Sequence, residues 1–113
     1  MINLHPKEKL KEISKQYPAD QRGYSYLSHY ANTLKYLITR WKESEDNRID
    51  RLYFLELKLD DFIDDDLPEL NRVQQKNLKK SRQVISLTNS KLMKIAGDFL
   101  NMFDEYYKDK ASK

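Results

Sequence analysis

The sequence predicts an all-α fold: a four- or five-helix bundle closed by a long C-terminal helix. Three observations predict it. Only two glycines and three prolines occur among 113 residues, so turn formers are scarce. Leu27, Tyr30, Ala31, Leu34, Leu37, Ile38 and Trp41 repeat at spacings of three and four, the apolar stripe of an amphipathic helix. Leu78, Ile85, Leu92, Phe99 and Tyr106 then recur at every seventh position, two helical turns apart, and project from nearly one line. A chain of this length is expected to form one domain over residues 1–113.

The first helix is expected over residues 6–17. Pro6 suits a first turn, Leu10, Ile13 and Tyr17 follow at helical spacing, and Pro18 ends the run. Lys7, Lys9, Lys11 and Lys15 make its outer face a solvated one. The turn formers of Pro18–Gly23 predict a loop, and the second helix fills residues 24–44. Tyr24, Tyr26, Tyr36 and His29 lie beside its stripe. Near Arg22 such rings can stack on bases, but tyrosines flanking a core with wet hydroxyls explain them more simply. The polar stretch Glu43–Asn47 predicts a connection, and a third helix follows over residues 48–64 with the seam Ile49, Leu52, Leu55, Leu59 and Phe62. Tyr53, Phe54, Leu57 and Ile63 add apolar surface on its other sides, which marks it as a central or interface helix.

That helix ends in an acidic run, Asp60, Asp61, Phe62, Ile63, Asp64, Asp65 and Asp66. The spacing of Asp60, Asp61 and Asp64 matches the DDxxD arrangement with which isoprenoid synthases hold magnesium, because carboxylates one turn apart converge on a hard cation. The chain is too short for those enzymes and lacks a second metal motif. Nor do Glu43, Glu45 and Glu56 reproduce the paired acidic motifs of the short helical nucleotide pyrophosphatases. No metal or cofactor is therefore expected. Asp66, Pro68 and Glu69 instead read as the N-cap, first-turn proline and reaching acid of a capping box opening a fourth helix. In an antiparallel hairpin with its tip near Asp66, Asp60 and Asp64 would face Arg72 and Lys76.

The fourth helix is expected over residues 67–108. Unbroken, it would be about 60 Å long, against a radius of gyration near 13 Å for a compact domain of this size. It should therefore bend or split around residues 86–90, where Thr88 to Ser90 compete for backbone hydrogen bonds, or project and find a partner. Ser81, Thr88, Ile95 and Met102, three beyond the seam, make the apolar face narrow early and broad late. The core half is thus Leu92 to Tyr106. Behind Leu78 and Ile85, the cations Arg72, Lys76, Lys79 and Lys80 fall within an arc of about 100° on an unbroken helix. Such an arc can track a phosphate backbone or can be solvated charge paired with the preceding acids.

Zero cysteines exclude disulfides and thiolate metal sites. No apolar run reaches the roughly 18 residues of a membrane span, and Met1–Asp20 lacks a signal-peptide core, so a cytoplasmic protein without membrane insertion is expected. The richness in Lys, Asn, Asp, Ile and Tyr suggests an AT-rich bacterial or phage genome. Two isolated histidines, His5 and His29, suggest no nucleophile and base pair, and phosphate-binding glycine loops are absent from the sequence. The expected function is that of a non-enzymatic helical binding module acting stoichiometrically on a partner protein, as an adaptor, inhibitor or immunity-type protein. Its interface is sought at Tyr53, Phe54, Leu57, Leu78 and Ile85. A net charge of +3 leaves a second reading: an accessory nucleic-acid-binding protein, dimeric through the long helix, using Arg72, Lys76, Lys79 and Lys80. A remoter third is a magnesium-dependent nucleotide hydrolase using the acidic cluster.

Overall fold

The computed structural model describes residues 6–44, 50–76 and 78–111, with the side chains of Ser44, Leu78 and residues 109–111 set aside. The expected connection at 45–47, the seam residue Ile49 and the interface side chain of Leu78 lie outside the described residues. The chain forms α1 (Pro6–Gln16), a 3₁₀ turn (Ala19–Gln21), α2 (Tyr24–Ser44), α3 (Asp50–Asp61), a π-helical turn (Phe62–Asp66), α4 (Leu67–Lys76) and α5 (Leu78–Ala111). All described elements are helical, and together they make four rods, because α3, the π turn and α4 run on without a break.

That continuity corrects the expected hairpin at Asp66. Asp61 and Leu67, on either side of the π turn, both keep α-helical dihedrals, and the Leu67 N–H donates to the carbonyl of Phe62, five residues back. The buried residues of the rod record the same insertion. Leu52, Leu55, Leu59 and Phe62 are spaced by three or four, the next step to Leu67 is five, and Leu70 follows at three. The extra residue has a physical reason in Pro68, which lacks an N–H and whose ring would press on the carbonyl of residue 64 in a regular α-helix. A widened turn just before it relieves that clash and keeps the rod intact. Asp66, Pro68 and Glu69 are therefore interior residues of a rod, not a capping box.

The reversal lies between α4 and α5 instead. Arg51 meets Glu105 at 3.4 Å and Asp66 meets Lys91 at 2.8 Å, so partners on α5 descend as residues on the rod ascend. The rod and α5 thus form an antiparallel pair. At about 1.5 Å per residue the 34 residues of α5 span about 51 Å, which matches the 53 Å long axis of the molecule. The expectation that this helix outgrows its own globule fails, since the domain is itself elongated, with a radius of gyration of 15.3 Å. The helix also passes through Thr88–Ser90 and Gly97 without interruption.

α2 lies on this pair, antiparallel to the rod. Its Lys35 pairs with Asp60, its Lys42 with Glu56 at 2.8 Å, and the N–H of Tyr24 donates to Gln74 Oε1 at 2.9 Å. Gln74 thereby caps α2 from a distant helix. Gly23 makes room for it, because a Cβ there would stand 2.8 Å from that oxygen. α1 packs across α2, with Leu10 and Ile13 buried. Arg22 secures its end: its guanidinium donates to the carbonyls of Ser14 and Tyr17 at 2.7 and 3.1 Å, groups a helix C-terminus leaves open.

Leu92, Ile95, Phe99 and Met102 of α5 are buried as expected, while Tyr106 and Ile85 are half-buried. In the earlier half of α5 the buried positions are Ser81 and Thr88, 4% and 8% exposed, and across from them α4 buries Leu67 and Leu70. Small residues on one helix accommodate large ones on its neighbour. Truncating Leu92 or Phe99 to alanine is expected to cost about 2–5 kcal/mol by cavity formation, read as a lowered midpoint in thermal or urea unfolding. Gly97→Ala should act the other way. Gly97 is in a helix interior with open space where a Cβ would go, so a gain of about 0.5–1 kcal/mol is expected in the same measurement.

Candidate functional site: the outward face of α3

α3 is apolar on two sides. Leu52, Leu55 and Leu59 are buried against the bundle, whereas Phe54 and Leu57 are 65% and 61% exposed. At about 100° per residue the second pair lies opposite the first, one turn apart, and faces solvent. Such a pair is more than scattered surface leucine, because the two side chains adjoin on one straight element. Tyr53 stands to one side, where the Lys42 ammonium sits 4.4 Å from its ring centre. Of the three residues expected on this helix, Phe54 and Leu57 are thus bare, and Tyr53 is partly engaged by α2.

The acids of this region sort by direction. Glu56, Asp60 and Asp66 each meet a lysine, Lys42, Lys35 and Lys91 respectively. The hydrogen bond to Asp60 is the main cause that raises the Lys35 pKa, with further attraction from Asp60, Glu56 and Asp64 and an opposing effect of burial. Asp50, Asp61, Asp64 and Asp65 are exposed and make no ion pair among the described residues. Asp60, Asp61 and Asp64 do not converge: Asp60 turns to α2, while Asp61 turns outward beside Lys58, Lys91, Lys94 and Asp98 in a shallow groove of about 320 Å³. Among the described residues no three His, Asp or Glu side chains gather to hold a metal ion. The pairing of Asp60 and Asp64 with Arg72 and Lys76 is not formed either, since Arg72 bonds Glu69 on its own helix.

The four expected phosphate contacts are divided by the reversal between α4 and α5. Arg72 and Lys76 end α4, and Lys79 and Lys80 begin α5, so they form no single helical arc. All four are exposed, and they share one end of the bundle. Ile85 faces a different opening. It lines a groove of about 580 Å³ between α5 and the α1–α2 junction with Arg22, Tyr26, Arg82, Ser86, Asn89 and others.

The aromatics near Arg22 are structural. Tyr26 is buried, its hydroxyl 3.2 Å from that of Ser14, and its ring lies 5.1 Å from the Arg22 guanidinium; Tyr17 meets His29 Nδ1 at 3.4 Å. They hold α1 on α2 rather than offering faces to bases. Tyr36, expected beside the stripe of α2, is exposed and lies under Lys9. Leu87, 72% exposed on α5, was not expected, because it stands off the seven-residue repeat of its helix.

No family model, curated protein or solved structure matches this chain. Fold and site define an all-α bundle with a bare apolar helix face, and no helix among the described residues is long and apolar enough to cross a membrane.

The aromatic junction also gives a test of packing by pH. Burial, and then the neighbouring Tyr26, push the Tyr30 phenol up to about 12. The folded state therefore holds this proton more tightly than the unfolded chain, whose phenols titrate near about 10. The associated stability is intact below about pH 10 and is lost as pH rises through about 12. In an ultraviolet alkaline titration, one of the eight tyrosines should ionise last, and Tyr30→Phe should remove that step.

Proposed function

We propose that this chain is a small non-enzymatic helical binding module, acting stoichiometrically by laying the outward face of α3 on a partner protein. The observation that carries the reading is the exposure of Phe54 and Leu57 opposite the face with which α3 joins the core. Leaving two large apolar side chains in water forgoes about 1.5–3 kcal/mol each, and a partner surface recovers it. An adaptor, an inhibitor and an immunity-type protein all work by such occupation of a surface.

A second reading rests on the other end of the bundle. Arg72, Lys76, Lys79 and Lys80, with the exposed Arg82 beside them, place cations from two helices on one tip. A nucleic-acid backbone is the partner such a tip would suit, with binding that falls steeply as salt rises.

One experiment separates the two. A photocrosslinking amino acid is placed at position 54, and as a control at the exposed Ser25, in cells of the source organism. Protein adducts formed from position 54 and not from position 25 are expected. Nucleic-acid recovery that survives at position 54 but is lost on Lys76→Glu with Lys79→Glu would instead favour the basic tip.

A further inference from the structure

We infer that the segment docking on α3 is a basic amphipathic helix. The inference rests on the reading of α3 as a protein-binding face, and adds the chemistry of what binds there. Residues 50–66 hold seven acids against two bases in a chain whose net charge is +3. The lysines of α2 and α5 form ion pairs with Glu56, Asp60 and Asp66, while Lys35 also attracts Asp64 and Asp61 shares a groove with Lys58, Lys91 and Lys94. Asp50, Asp61, Asp64 and Asp65 are exposed and form no ion pair among the described residues. Asp50 precedes Phe54 by four residues and Asp61 follows Leu57 by four, so each stands about 6 Å beyond the pair along the helix. Asp64 and Asp65 extend the acidic end past the π turn.

The complement of this array is an apolar pair spaced by three or four residues, with a lysine or arginine one turn beyond each end. A helix lying along α3 supplies it, and its cations meet carboxylates that have no ion partner among the described residues. Of the two bases in residues 50–66, Arg51 is held by Glu105, and Lys58 lies in the groove with Asp61, Lys91, Lys94 and Asp98. A second copy of the chain fits poorly. Antiparallel docking of α3 on α3 about the apolar pair sets Asp50 against Asp61 of the other copy, and like charges repel. A nucleic acid is disfavoured for the same reason.

The test uses the full chain and two synthetic fluorescent helical peptides. They share a central leucine pair and differ only in having lysines or glutamates one turn beyond it. By fluorescence anisotropy, the lysine peptide is expected to bind about tenfold more tightly than the glutamate peptide at about 50 mM salt, with a smaller ratio at about 200 mM. Phe54→Ser with Leu57→Ser should weaken it about tenfold, and Asp61→Lys with Asp65→Lys should reverse the preference between peptides. These four residues are exposed, so circular dichroism melts should show the variants folded. Equal affinity for the two peptides, a preference unmoved by the charge reversal, or a self-dimer dissolved by Phe54→Ser would overturn the inference. If that happens while position 54 still crosslinks to a protein, the binding face stands and its proposed occupant falls. If position 54 captures no protein, the binding face itself falls.

Discussion

The structure depends on the burial of one face of α5 against α2. Trp41 is the centre of it: its ring lies 5.8 Å from Phe99, 5.2 Å from Phe103 and 5.6 Å from Tyr106, each edge to face, with Tyr107 at 6.3 Å. Pairs of this kind add about 0.5–1.5 kcal/mol each beyond the area they bury. This packing sets α5 parallel to α2, and with α2 already antiparallel to the rod, the chain must reverse between α4 and α5. The ion pairs from Arg51 to Glu105 and from Asp66 to Lys91 follow that geometry; exposed as they are, they contribute little energy of their own.

The π turn is the second constraint, and its effects reach beyond backbone geometry. By inserting one residue between Phe62 and Leu67, it returns Leu67 and Leu70 to the buried side after Pro68 has disturbed the winding. The same shift leaves Asp66 at the rim, within reach of Lys91, with Asp65 outward beside it.

α3 is consequently a helix with two apolar sides of unequal fate. Its inner leucines are satisfied by α2 and α5. Its outer Phe54 and Leu57 stay 65% and 61% exposed, Phe54 at the edge of a groove it shares with Asp98, Asn101 and Glu105 of α5. The excess apolar surface on this helix was legible in the sequence, and Phe54 and Leu57 were among the residues it singled out. The role of the acids was not, because their meaning depends on which of them a distant lysine reaches.

By itself the sequence determined the all-α class, the extent of α2, the core positions Leu92 and Phe99, and the presence of spare apolar surface on α3. Each is a statement about periodicity, and side chains at helical spacing share a face whatever surrounds them. Only the tertiary structure decided where the chain turns. Asp66, Pro68 and Glu69 carry the local chemistry of a helix start, yet the rod continues through them, because burying Leu67 and Leu70 outweighs the distortion of one widened turn. The reversal between α4 and α5 divided the four cations, and pairing with Lys35, Lys42 and Lys91 selected which acids remained without an ion partner among the described residues. Those outcomes are set by contacts between residues far apart in the chain, which no local pattern encodes.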